Sequence, residues 1–145
     1  MKPIATIIAA LSLFATACGG PAVESNNQDS IDTASSAILS SGDPLVGNWY
    51  IVADPSWKIA MNTSGDAVKT SVPSGHPCWT VGSPVFDNLT LISTGYYEGR
   101  RYDKCMGSGT WYRVAVSLTD LGGGVVQFTE TPLEISTYVL TWQKY

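Results

Sequence analysis

The chain has 145 residues, a formal net charge of −4, and only 14% charged side chains. That balance argues against nucleic acid or an anionic surface as a partner of the folded part. One histidine and three cysteines leave little material for a metal centre or a catalytic triad, whereas five Trp and seven Tyr are a large aromatic share.

Met1-Lys2 is followed by an apolar run ending in Ala15-Thr16-Ala17. The run is shorter than the roughly 20 residues a spanning helix needs. Residues 1–17 therefore read as a secretory signal, to be set aside from fold reasoning. Ala15-Thr16-Ala17-Cys18, with Gly19-Gly20 and a polar tail behind it, resembles the bacterial lipobox. The resemblance implies that Cys18 becomes the first mature residue and carries a lipid, so that the protein is anchored to a membrane of the bacterial envelope. Gly19 after the cysteine leans, by the same resemblance, toward the outer membrane. The alternative is cleavage nearby by an ordinary signal peptidase, leaving a soluble periplasmic or secreted protein. Removing residues 1–17 leaves 128 residues with net charge −5, suited to one domain.

Residues 18–43 read as the lipidated N-terminus and a flexible tether. Pro21 to Ser30 is polar and poor in aromatics, as disorder requires. Ile31 to Leu39 has a faint helical spacing too short to stand alone; the alternative is a short lid packed on the domain. The domain itself spans 44–145.

Leu45 to Val52 reads as a strand, and Asp54-Pro55 as its breaker. Trp57 to Met61 and Ala67 to Val72 form a hairpin across Asn62 to Asp66. A loop from Pro73 delivers Cys78 to a short strand, Cys78 to Val81. Val85 to Thr94 is the longest strand, with Leu89 and Leu91 on one side and Thr90 and Ile92 on the other; one side lines the core and the other lies under a loop or the tether. Tyr96 to Lys104 is polar and partly exposed, with Gly99 allowing curvature. Thr110 to Leu118 turns Tyr112, Val114, Val116 and Leu118 inward. Val125 to Thr129 buries Val126 and Phe128. After a turn at Thr131-Pro132, Ser136 to Tyr145 closes the domain with Tyr138, Leu140 and Trp142 on one face. Eight or nine short strands with Gly/Pro turns predict an all-β fold: a small antiparallel up-and-down barrel of about eight strands, with a β-sandwich as the alternative.

Gly47-Asn48-Trp49 looks like the Gly-x-Trp opening strand of lipocalins and lipocalin-like domains. The closing Tyr138-Val-Leu-Thr-Trp142-Gln-Lys144 is similar to the last strand of that group. The resemblance implies that Trp49 plugs one end of the barrel, that Lys144 covers it, and that Trp142 packs there too. It also implies an apolar small ligand held in a calyx, although about 100 residues is short for an open one and side chains can fill a small barrel.

Cys78 and Cys105 span 28 residues. In an oxidising compartment such a pair forms a disulfide, constraining the unfolded chain by on the order of 3–4 kcal/mol. No Cys-x-x-Cys accompanies it, and a metal site needs more convergent ligands than His76 supplies. No metal, cofactor or catalytic residue is expected, and the domain reads as no enzyme. The spare aromatics and arginines form the candidate binding site: Trp57, Trp79, Tyr96, Tyr97, Arg100, Arg101 and Tyr102, residue types favoured at hot spots. The competing reading is that large aromatics simply fill a small β core. The functional expectation is a non-catalytic envelope lipoprotein that binds a protein or glycan through this face, beside the disulfide. Alternatives are a carrier of a small apolar ligand, or an inhibitor of an envelope hydrolase.

Overall fold

The computed structural model describes residues 39–105, 108–135 and 138–145. The expected signal peptide 1–17, the lipidation site Cys18 and the tether as far as residue 38 lie outside the described residues. Eight strands follow one another: β1 Gly47–Ile51, β2 Asp54–Met61, β3 Ala67–Ser71, β4 Pro84–Ser93, β5 Tyr96–Asp103, β6 Thr110–Asp120, β7 Val126–Pro132 and β8 Leu140–Lys144. Each pairs antiparallel with the next, and β8 returns to β1 through Trp49↔Lys144, Tyr50↔Gln143 and Ile51↔Trp142. The protein is an up-and-down barrel, not a sandwich. Closure pairs the edges that an open sheet would leave exposed.

Alternation places one row of each strand inside. Trp49, Ile59, Val114, Val116, Phe128 and Trp142 are fully buried there. Phe128 stacks on Trp142 at 5.8 Å and meets Trp49 edge-on at 4.6 Å. These aromatics fill the barrel interior and account for much of its apolar burial.

Several boundaries differ from the sequence expectation, each for a local reason. Asp54-Pro55 opens β2 instead of breaking the chain before it. Ile51 pairs with Asp54 across a register shift, and the Asp54 carboxylate accepts the Ser56 N–H and hydroxyl. Cys78 to Val81 is loop, not strand, because His76 Nδ1 gathers the Cys78 and Trp79 amides into a turn. β7 runs on to Pro132, whose carbonyl side and strand-end position tolerate the missing N–H. The last strand starts at Leu140; Tyr138 and Val139 precede it, and residues 136–137 lie outside the described residues.

β4 departs most. Asn88 sits at φ 55°, and the pairing with β5 shifts register on both sides of Thr90-Leu91. Leu89 is fully buried, yet Leu91 and Ile92 are 48% and 58% exposed among the described residues. Leu91 nevertheless pairs with the inward-facing Tyr97, so Leu89 and Leu91 share the inward side as expected, and Leu91 is exposed because it lies near the end of the strand. Gly99 makes the bulge at Asn88 fit: a Cβ there would stand 2.9 Å from the Asn88 and Asp87 carbonyl oxygens.

One end of the barrel is closed by the chain entering it. The packed unit reaches back beyond the expected boundary at residue 44: Leu39 is buried and its N–H donates to Thr63 O at 2.7 Å. Tyr97 Oη donates to Asp43 Oδ1 at 2.9 Å. Trp49 Nε1 donates to Leu45 O at 2.9 Å. Lys144 Nζ lies 5.5 Å from the Trp49 ring centroid and donates to Pro44 O and Val46 O, both at 2.8 Å. Gly47 has to be small for this: a Cβ would meet Lys144 Cε at 2.9 Å, and its φ of 137° suits glycine.

Candidate functional site

The opposite end is ringed by the β1–β2 turn, the β3–β4 loop, the β5–β6 turn and the β7–β8 connection. A cavity of about 240 Å³ lies there, lined by Ile51, Trp57, Lys69, Trp79, Arg101 and Leu140. The β3–β4 loop makes its roof. Lys69 N–H and Lys69 C=O pair with Ser83 O and Gly82 N–H at 2.9 and 2.8 Å, so the loop continues the ladder along β3 before turning over the barrel mouth. His76 packs edge-on against Trp57 at 4.8 Å. Its Nδ1 accepts the Trp79 N–H at 3.2 Å and the Cys78 N–H at 3.4 Å. Cys78–Cys105, with Cα atoms 5.4 Å apart, ties this roof to the β5–β6 turn. Lys104 Nζ adds contacts to Thr80 Oγ1 and Ser83 Oγ at 3.4 and 3.3 Å. His76 and the two cysteines bring possible ligand atoms within 4.8 Å of one another, but both sulfurs are committed to the disulfide.

The polar groups inside are few and buried. Arg101 Nε donates to Glu130 Oε1 at 3.2 Å. The second Glu130 oxygen accepts Trp142 Nε1 at 2.9 Å. Arg101 also donates to Tyr102 O, and the Tyr112 and Tyr138 hydroxyls bond each other. Burial works against the Arg101 charge, but Glu130 and the two phenols favour it, and its pKa ends above the usual arginine value. Burial raises the Tyr112 and Tyr138 pKa values as well.

Lys69 is different. It is 2% exposed, and its Nζ lies 4.3 Å from the Trp57 ring centroid, 5.1 Å from Trp142 and 5.2 Å from Trp79. Among the described residues no acceptor bonds it. Burial, reinforced by the Arg101 charge and only partly offset by Glu130, pushes its pKa down to about 7. With Arg101 and Glu130 cancelling, the cavity carries one positive charge in excess whenever Lys69 is protonated.

The seven candidate binding residues do not share one face. Trp57, Trp79 and Arg101 meet at the cavity. Tyr97 points inward at the closed end, bound to Asp43, with burial raising its pKa. Tyr96 lies outside, donating to Glu98 at 2.9 Å. Arg100, next to Arg101 in sequence, takes the opposite side of β5, paired with Asp87 and 5.3 Å from the Trp111 ring centroid. Tyr102 packs on Trp111 at 5.0 Å and meets Trp79 edge-on at 6.2 Å. Alternation along a strand makes this split unavoidable.

Lys69 and Ile51 were not marked by the sequence, and Leu140 was marked only as a core-facing residue. The available signal was the alternation in β3: Ala67 and Lys69 are inside while Val68 is 42% exposed, so a lysine sits on the apolar side of its own strand. Among the described residues no helix is long and apolar enough to cross a membrane. No protein-family description, curated protein or solved structure matches the chain, so its functional reading rests on this geometry.

Proposed function

We propose that the domain is a non-catalytic binding barrel that takes a small molecule at its open end, held in the bacterial envelope through a lipidated Cys18. The observation that carries this reading is the cavity of about 240 Å³ walled by Trp57, Trp79, Ile51 and Leu140, with Lys69 and Arg101 as its charged groups. Binding sites for small molecules are concave and mostly apolar, with few placed polar groups. The volume falls below the roughly 300–1,000 Å³ of drug-sized sites, so the ligand is compact. Arg101 is held by Glu130, which favours a positioning role over chemistry.

Titration of tryptophan fluorescence in the purified protein tests this, because Trp57 and Trp79 line the site. A compact aromatic ligand should give a saturable change, and Ile51→Trp, which fills the cavity, should abolish it. Saturable binding that survives Ile51→Trp places the ligand elsewhere and removes the reading.

A second reading is supported by the outer cluster in which Arg100 and Tyr102, two of the seven expected residues, meet Trp111. It suits a protein or glycan partner. Arg100→Ala should weaken such an association while leaving small-molecule titrations unchanged.

A further inference from the structure

We propose that the ligand of the open-end cavity is a planar organic monoanion of about benzoate size, its negative charge set against Lys69 and its ring among the tryptophans. This rests on the reading of the cavity as a small-molecule site and names its ligand class.

The charged groups that act on Lys69 are Arg101 and Glu130, and they and the other titratable groups at this end are already engaged. Arg101 on β5 is paired with Glu130 on β7. Glu130 is completed by Trp142 Nε1 on β8. Tyr112 on β6 and Tyr138 before β8 bond each other. His76 on the roof loop accepts two backbone amides. Lys69 Nζ has no acceptor among the described residues; the residue is 2% exposed, and because no fully enclosed side-chain nitrogen or oxygen there lacks a partner, its ammonium faces the cavity it lines. A buried charge without a partner is costly. The tryptophan faces offset part of that cost by cation–π attraction, but they cannot supply the opposite charge. A carboxylate entering the cavity can. One negative charge balances the excess; a second would be as uncompensated as the lysine is now. The apolar walls disfavour a bare inorganic anion, and the volume excludes an extended chain.

Protonation follows. Burial lowers the Lys69 pKa to about 7, and a bound carboxylate favours its charged form. Above that pH each anion bound therefore takes up close to one proton, and affinity falls by up to about tenfold per pH unit.

The test compares benzoate with its neutral isostere benzamide, by tryptophan fluorescence and by calorimetry in two buffers of different ionisation enthalpy. The expected result is at least a tenfold preference for benzoate near neutral pH, lost in Lys69→Met. Proton uptake should accompany benzoate binding at pH 8. Lys69→Arg should keep the preference and lose the pH dependence. Equal binding of the two probes, unchanged in Lys69→Met, overturns the monoanion and leaves the cavity reading standing. A benzoate preference that persists in Lys69→Met places the anion on another group and overturns it too. Saturable binding of neither probe removes the cavity reading and this inference together.

Discussion

Two lysines lie over tryptophans at opposite ends of this barrel, and their surroundings differ. At the closed end Lys144 crosses Trp49 and delivers two hydrogen bonds to the carbonyls of Pro44 and Val46, so its charge is solvated by backbone. At the open end Lys69 reaches into a nest of three tryptophans with no acceptor among the described residues. The first arrangement is what a structural plug requires: Lys144, Trp49 and Tyr97 each have a hydrogen-bond partner there. The second is unfavourable as structure, because a buried ammonium without an opposite charge subtracts from stability. Residues of this kind concentrate at functional sites, where burial and neighbours shift their titration. A packed end thus stands opposite the end proposed to bind, in a molecule whose sequence treats both as aromatic-rich strand.

The largest loss of stability is expected at the closed end. Trp49→Ala removes a fully buried indole that touches Phe128 and anchors Leu45 O. It is expected to cost about 3–5 kcal/mol, read as a lower denaturant midpoint at unchanged slope. Replacing both Cys78 and Cys105 by serine comes next. Chain-entropy reasoning puts the loss on the order of 3–4 kcal/mol. Hydrogen exchange should rise first in the loop 72–83 and at the β5–β6 turn, and only later around Trp49. Equal acceleration at both ends contradicts the independence of the roof.

Lys69→Met has the opposite sign. Exchanging an uncompensated buried cation for a methionine of similar length should stabilise the protein by about 1–3 kcal/mol near pH 6. The pH dependence sharpens the point. Lys69 titrates near 7 in the folded protein against 10.5 ordinarily. Between these values the unfolded chain holds one more proton, so the contribution to stability rises with pH through that window and is lowest below about 7. Denaturation midpoints across the window should show this slope in the wild type and lose it in Lys69→Met. The smallest effect belongs to Lys144→Met, about 1 kcal/mol for hydrogen bonds whose carbonyls water can partly take over. A large loss there, or a loss in Lys69→Met, reverses the assignment of the two ends.

The strand count, the disulfide and the inward rows of β6, β7 and β8 were legible in the residues themselves. Period-two alternation and Gly/Pro punctuation are local properties, and a lone pair of cysteines in a small β-domain leaves one pairing. Gly47-x-Trp49 also has a local reason in the structure, since Gly47 leaves room for the Lys144 stem. The bulge at Asn88 was not legible. It depends on the Gly99 backbone lying underneath, a contact between two strands that neither strand's own pattern shows.

The sequence by itself determined the fold class and the residue types that a small barrel needs, because alternation and turn chemistry act over a few residues. Only the tertiary structure decided which end is filled and which is hollow. It brought Trp57, Lys69, Trp79 and Arg101 from four separate segments to one cavity and sent Arg100 to the opposite side of the sheet from Arg101. It also placed Glu130 so that Arg101 is neutralised and Lys69 is not. Charge balance in a barrel interior is set by side chains brought together across strands, and no local pattern in the chain carries it.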